Sequence, residues 1–102
     1  MNVPSRPSLL GLARSFLFVP GNRPERFAKA LASGADAVII DLEDAVPLDA
    51  KDAARDALLA AWPSLAAAER ARLLVRVNPA GTPWHEADLA ALGHLPGLGA
   101  LM

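Results

Sequence analysis

The chain has 102 residues, enough for one small domain or a piece of a larger one. Ten basic against eleven acidic residues leave a net charge of −1, so electrostatics give no reason to expect nucleic acid or an anionic membrane as partner. There is no cysteine, which excludes a disulfide framework and a thiolate metal site, and 53% of the residues are hydrophobic, much of that alanine.

Residues 1–13 carry Pro4, Ser5, Pro7 and Ser8 without a clear period and read as an irregular leader. Its apolar runs are cut by Pro7, Gly11 and Arg14, with no clean cleavage site. No run in the chain approaches the ~18 apolar residues of a membrane span. The expectation is a soluble, cytoplasmic protein. "SFLFVP" (15–20) then reads as a buried strand stopped by Pro20-Gly21. Asn22 suits a helix N-cap, with Pro24 and Glu25 in the first turn. Phe27, Ala28, Leu31 and Ala32 form an apolar stripe, and Gly34 sits where a C′ glycine belongs.

The pattern recurs. "AVIIDL" (37–42) is a second strand, "EDAVP" a loop, and Asp49 a cap for a helix with apolar positions Ala53, Ala54, Ala57, Leu58, Ala61 and Trp62. Lys51, Asp52, Arg55 and Asp56 fall on the opposite face, expected to be solvated. Pro63 interrupts, and Ser64 can cap a further turn or two. "LLVRVN" (73–78) is a third strand, after which Thr82 and Pro83 suit a helix start. "GLGALM" (97–102) opens a fourth apolar run. Alternating strands and helices argue for parallel pairing through right-handed crossovers, and uniformly apolar strands argue for burial on both faces. The expected fold is α/β: about three βα units and the start of a fourth strand, either a small open sheet or the N-terminal part of a (β/α)8 barrel. A barrel needs ~250 residues, so the chain reads as truncated.

In parallel α/β folds, active groups collect at the C-terminal ends of strands. Asp41, Glu43 and Asp44 close the second strand, where clustered carboxylates need a cation or hydrogen-bond donors to offset their repulsion. Period two puts Asp41 and Glu43 on one side. They can serve a metal, a water or an arginine. Equally, Glu43 and Asp44 can cap the following turn while Asp41 alone is buried against backbone. Arg76 interrupts an apolar strand, and a buried guanidinium needs a partner. That partner is Asp41 or Glu43 on the adjacent strand, or a substrate carboxylate or carbonyl oxygen. "PGNRPERFAK" brings Arg23, Arg26 and Lys29 beside a helix start, without a phosphate-loop or dinucleotide-binding glycine pattern. His85 and His94 lack metal-ligand spacing, and Trp84 reads as a packing anchor.

"RSFLFVPGNRPERFAKALASGADAVIIDLEDAV", followed by "VRVNPAGTPWHEADLAAL", resembles the HpcH/HpaI aldolase and citrate lyase β-subunit (CitE-like) family from Arg14 to Met102. The resemblance implies a (β/α)8 barrel that uses Mg²⁺ to make or break carbon–carbon bonds beside a carboxylate, commonly on acyl-CoA thioesters. It implies a homo-oligomeric parent, and some relatives instead hydrolyse the thioester. By position, Arg76 would hold the oxo-acid part of the substrate and act in catalysis. Phe18, Arg23 and Lys29 would contact CoA, and Asp41, Glu43 and Asp44 would border the metal pocket. The family's direct Mg²⁺ ligands, a glutamate and an aspartate, lie on later strands than those present here. The chain alone is therefore expected to hold no metal and to be inactive. A non-catalytic barrel fragment serving as an interaction module is the remaining reading.

Overall fold

The computed structural model describes residues 15–101. The expected leader at 1–13, Arg14 and Met102 lie outside the described residues. Four strands, β1 (Phe16–Pro20), β2 (Ala37–Asp41), β3 (Leu73–Arg76) and β4 (Ala100–Leu101), form one sheet in chain order. All three pairings are parallel. Helices α1 (Phe27–Ala32), α2 (Lys51–Ala61), α3 (Ala67–Ala71) and α4 (His85–Leu92) lie in the connections. A parallel sheet whose spatial order equals its sequence order is the arrangement of consecutive strands in a (β/α)8 barrel.

Period-two alternation decides what each strand gives to the core. Val38, Ile40 and Leu42 from the second strand and Leu73, Val75 and Val77 from the third join Val19 in the main cluster. Phe27, Ala30 and Leu31 of α1, Ala54 and Leu58 of α2, Trp62 and Leu92 join it from the helical side, and Val46 from the loop after β2. The alternate residues, among them Ile39, Asp41, Leu74 and Arg76, belong to the other face of the sheet. That face carries the polar pair at its C-terminal end.

Burial of both strand faces, expected throughout, holds for β2 alone, whose five residues are all buried. Phe16, Leu17 and Phe18 on β1 stay exposed because β1 has one sheet neighbour, and Phe18 keeps 50% of its surface accessible. The second and third strands end at Asp41 and Arg76, earlier than the apolar runs suggest. The α1 stripe is Phe27, Ala30 and Leu31, an i, i+3, i+4 set; Ala28 and Ala32 face outward. Gly34 sits just past this helix with φ 93°, as expected of a C′ glycine.

The four expected helix caps are not made. Asn22 lies inside a turn closed by the Arg23 N–H to the Pro20 carbonyl (3.0 Å), and a 3-10 turn at Pro24–Arg26 leads into α1. Asp49 lies within another 3-10 turn, Leu48–Ala50, that precedes α2. The Ser64 hydroxyl donates back to the Ala61 carbonyl, and α3 instead begins with the Ala66 N–H donating to Glu69 Oε1 at 2.8 Å. The Thr82 hydroxyl likewise donates back, to the Pro79 carbonyl, and α4 starts at His85. Tight turns lead into α1, α2 and α4 without a side-chain cap, whereas at α3 the Glu69 carboxylate takes the Ala66 N–H.

Two cations placed on a solvated helix face by the sequence prove otherwise. Lys51 is 6% exposed, and Arg55 turns inward to a buried aspartate. Both sit one helix turn from core positions: Lys51, Ala54 and Leu58 follow the i, i+3, i+7 spacing of a buried stripe.

Leu58, fully buried between α2 and the sheet, is the natural probe of this packing. Leu58→Ala is expected to cost about 2–5 kcal/mol of unfolding free energy, the range for a large-to-small core change. Urea titration of the two proteins measures it, and a loss near zero would place Leu58 outside the cooperative core.

Candidate active site

The parallel register sets Asp41 directly beside Arg76 at the ends of β2 and β3. The side chains meet as a fork. Arg76 Nε donates to Asp41 Oδ1 at 2.9 Å, and Arg76 Nη2 donates to Oδ2 at 2.6 Å. The N–H groups of Glu43 and Ala45 add donors to Oδ1 (2.8 Å) and Oδ2 (3.1 Å). Four donors therefore saturate a carboxylate that is 2% exposed. Asp41 is buried against backbone and also holds the arginine, while no hydrogen bond from the following turn to the Glu43 or Asp44 side chain accompanies it among the described residues.

Glu43 and Asp44 stand further out. Glu43 Oε1 lies 3.5 Å from Arg76 Nε, and Asp44 Oδ2 lies 3.8 Å from Nη2 with Asp44 largely exposed. The Phe18 ring from β1 underlies the guanidinium at 5.2 Å, a cation–π contact. Three consecutive strands thus converge on one cation. Neither hydrogen bond to Asp41 uses Nη1, so that end of the fork is left for a ligand.

Electrostatics follow from this geometry. Burial alone raises the Asp41 pKa, but hydrogen bonds from Arg76, Glu43 and Ala45 outweigh it and hold the carboxyl below its ordinary value. The hydrogen bond to Asp41 raises Arg76 further above its ordinary range. The pair is ionic at every physiological pH.

Arg76 also borders a cleft of 590 Å³ lined by Glu43, Asn78, His85, Leu89 and Leu101 among others. Its far wall is braced from below. Asp88 on α4 is buried, and its Oδ2 accepts from the Asn78 backbone N–H (3.0 Å) and Asn78 Nδ2 (2.7 Å). Its Oδ1 accepts from Arg55 Nη1 on α2 at 3.0 Å. Burial would lower the Arg55 pKa, but hydrogen bonds to Asp88 and Asp52 more than compensate and raise it. His85 Nδ1 lies 2.7 Å from the Asn78 carbonyl, which can only accept, so Nδ1 carries the proton.

The residues of the first βα unit divide. Phe18 and Lys29 line a second groove of 430 Å³ together with Leu17, Pro20 and Arg26. Arg23 does not line it; its Nη1 stands 3.5 Å from Glu25 Oε2, with both side chains more than half exposed. Lys51 and the Arg55–Asp88–Asn78 chain are the site components missed in the sequence. Their signal was present as spacing: His85, Asp88 and Leu92 repeat on α4 the i, i+3, i+7 stripe of Lys51, Ala54 and Leu58 on α2. Charged residues on such a stripe look solvated until the packing of α2 against α4 is known.

Among the described residues, no group of three or more His, Asp or Glu side chains could hold a metal ion. Asp41 explains why the acid cluster does not: its lone pairs are already taken by the arginine and the backbone.

The model of the HpcH/HpaI aldolase/citrate lyase family matches residues 14–98. A citrate lyase subunit beta-like protein of Deinococcus radiodurans is 50% identical over 95 residues, 90% of this chain and 32% of its own length. A (3S)-malyl-CoA thioesterase of Cereibacter sphaeroides is 44% identical over 78 residues, 76% of this chain and 27% of its own. The structure of CitE from Mycobacterium tuberculosis with magnesium, acetoacetate and coenzyme A is 45% identical, with a TM-score of 0.66 over 86% of this chain and 29% of that one. The chain therefore spans about a third or less of each of these proteins.

The depressed Asp41 pKa fixes the sign of a pH effect. The stabilisation is complete above the ordinary carboxyl value of 3.8 and is lost as pH falls through the lower folded value. Asp41→Asn is expected to cost about 2–3 kcal/mol at neutral pH, as for a hydrogen bond between charged groups. The gap to wild type should shrink by about pH 3. Urea titrations at both pH values measure it; an undiminished gap in acid would assign the loss to something other than this ion pair.

Proposed function

The chain belongs to the HpcH/HpaI aldolase/citrate lyase family, and from that membership we propose that the enzyme carrying these residues is a magnesium-dependent carbon–carbon lyase acting on a CoA thioester of a hydroxy or oxo acid. The observation that carries the reading is the Arg76 fork: locked by Asp41 on two nitrogens, backed by Phe18, uncommitted at Nη1, and part of the lining of a cleft. A guanidinium so fixed is preorganised to bind a substrate carboxylate or the oxygen on which charge develops. Its orientation costs nothing at the moment of reaction, because Asp41 and the register have already set it.

In the cleavage direction, the substrate's hydroxyl gives up a proton, which in the net reaction ends on the α-carbon of the departing acyl thioester, and becomes an oxo group. The adjacent carbon–carbon bond breaks, and its electron pair passes to the thioester enolate. Arg76 holds the oxo-acid half and stabilises negative charge on its oxygen. Glu43, beside Arg76 and on the cleft wall, and Asp44 at the rim keep the local field from becoming strongly positive. Magnesium, bound in the CitE complex, enters this proposal as the parent's cofactor with ligands outside the described residues; when bound it supplies Lewis-acid polarisation of a substrate oxygen.

The CoA part is assigned to the neighbouring groove. Phe18 offers an apolar face, and Lys29 and Arg26 offer cations at the same groove for phosphate oxygens. Arg23 extends this basic rim, since its exposed pair with Glu25 is weak enough to exchange for a phosphate. Phe18 touches both the Arg76 guanidinium and the groove, which joins the acyl and CoA ends of one ligand. Thioester hydrolysis on the same scaffold is a second reading, favoured by the 44% identity to a malyl-CoA thioesterase.

Arg76→Ala in the enzyme is expected to lower kcat/KM on an acyl-CoA such as malyl-CoA by about 100- to 1,000-fold, the cost of losing an oxyanion-type donor. Steady-state kinetics test this, and turnover close to wild type would remove Arg76 from the mechanism. Product analysis separates the two chemistries. A lyase releases an oxo acid and the shortened thioester, whereas a hydrolase releases free CoA and the intact hydroxy acid.

A further inference from the structure

Lys51 is the least expected polar group in the chain. It opens α2 in a core position, 6% exposed, and among the described residues no carboxylate pairs with it. A buried ammonium without a counter-ion is costly unless its protons are used. Here Nζ donates to the carbonyl oxygens of Leu42 (3.1 Å) and Glu43 (2.8 Å) and lies 5.4 Å from the Trp84 ring centre. The two carbonyls belong to the segment whose N–H groups, at Glu43 and Ala45, bind the Asp41 carboxylate. One short loop is therefore held from both poles of its peptide dipoles: a buried carboxylate takes the N–H groups and a buried ammonium takes the carbonyls. Trp84 comes from the connection after β3, so the same ammonium also ties that loop to the one after β2.

We propose that Lys51 is a positioning residue for the substrate site, clamping the loop after β2 so that Glu43 and the donors to Asp41 hold the Arg76 fork in its ligand-ready geometry. The inference rests on the reading of Arg76 as the oxo-acid fork. Methionine at this position would fill the core equally well and avoid the desolvation cost, so packing alone does not account for a lysine. The loop carbonyls do.

The test compares wild type, Lys51→Met, which keeps the stem, and Lys51→Arg, which keeps charge and donors. In Lys51→Met, amide hydrogen exchange at Glu43 and Ala45 should accelerate about 10- to 100-fold, while sheet amides such as Val38 and Val75 are unchanged. Affinity for oxalate, a planar dicarboxylate probe titrated by NMR, should fall about tenfold, as for lost support of a binding group. Lys51→Arg should restore much of both. Unchanged exchange overturns the clamp, and faster exchange with unchanged oxalate affinity overturns its positioning role. Wild type that binds no oxalate while Lys51→Met still exchanges faster overturns the Arg76 reading and supports the clamp. Where Lys51→Met does not fold, the wild-type protein decides by hydrogen-bond scalar couplings from Lys51 Nζ to the carbonyl carbons of Leu42 and Glu43. Their absence overturns the proposal.

Discussion

The pair of Asp41 and Arg76 organises everything at the C-terminal edge of the sheet. Parallel register makes them lateral neighbours, and each is the last residue of its strand. Were either absent, the other would be a poorly solvated charge at the end of an apolar strand, which is strongly destabilising. Their mutual neutralisation allows β2 to be buried along its whole length and still finish on an acid. It also leaves part of the guanidinium uncommitted, so one interaction serves both stability and binding.

Around this pair lie two more inward-turned cations, the partly buried Arg55 and the buried Lys51, each answered differently. Arg55 meets a carboxylate, Asp88, which in turn fixes Asn78 and with it the wall of the cleft. Lys51 meets only carbonyls and an aromatic face. Both originate on α2, so the helix that covers the core also braces the loops after β2 and β3. The loops at the site are thus tied to the same helix that supplies Ala54 and Leu58 to the core. Disturbing the core and disturbing the site are coupled through that element.

Most of the architecture was legible in the residues. Short apolar runs ending in Pro-Gly, in acids or in Asn-Pro marked the strands, and the 3.6-residue stripes between them marked the helices. The acids and Arg76 were legible as a cluster because strand ends in this fold face one mouth. Helix starts were not legible: Asn22, Asp49, Ser64 and Thr82 are all suitable caps, yet tight turns lead into α1, α2 and α4, and Glu69 rather than Ser64 takes the first N–H of α3. Nor was the first unit resolved into its parts. The resemblance grouped Arg23 with Phe18 and Lys29, whereas in the fold Arg23 stands beside Glu25 and it is Arg26 that lines the groove with Phe18 and Lys29.

The sequence by itself determined the alternation of strand and helix, the parallel order, and the gathering of Asp41, Glu43, Asp44 and Arg76 at one edge. These follow from local periodicity and from the geometry of crossovers, which every residue pattern in the chain supports. The tertiary structure alone decided that Asp41 takes the arginine's two hydrogen bonds while Glu43 stands off at 3.5 Å, because register fixes which side chains stand opposite. It alone decided that Lys51 and Arg55 turn inward, because a helix face is solvated or buried only by what packs on it. A charge is read from one position. Its partner depends on residues brought beside it from distant parts of the chain.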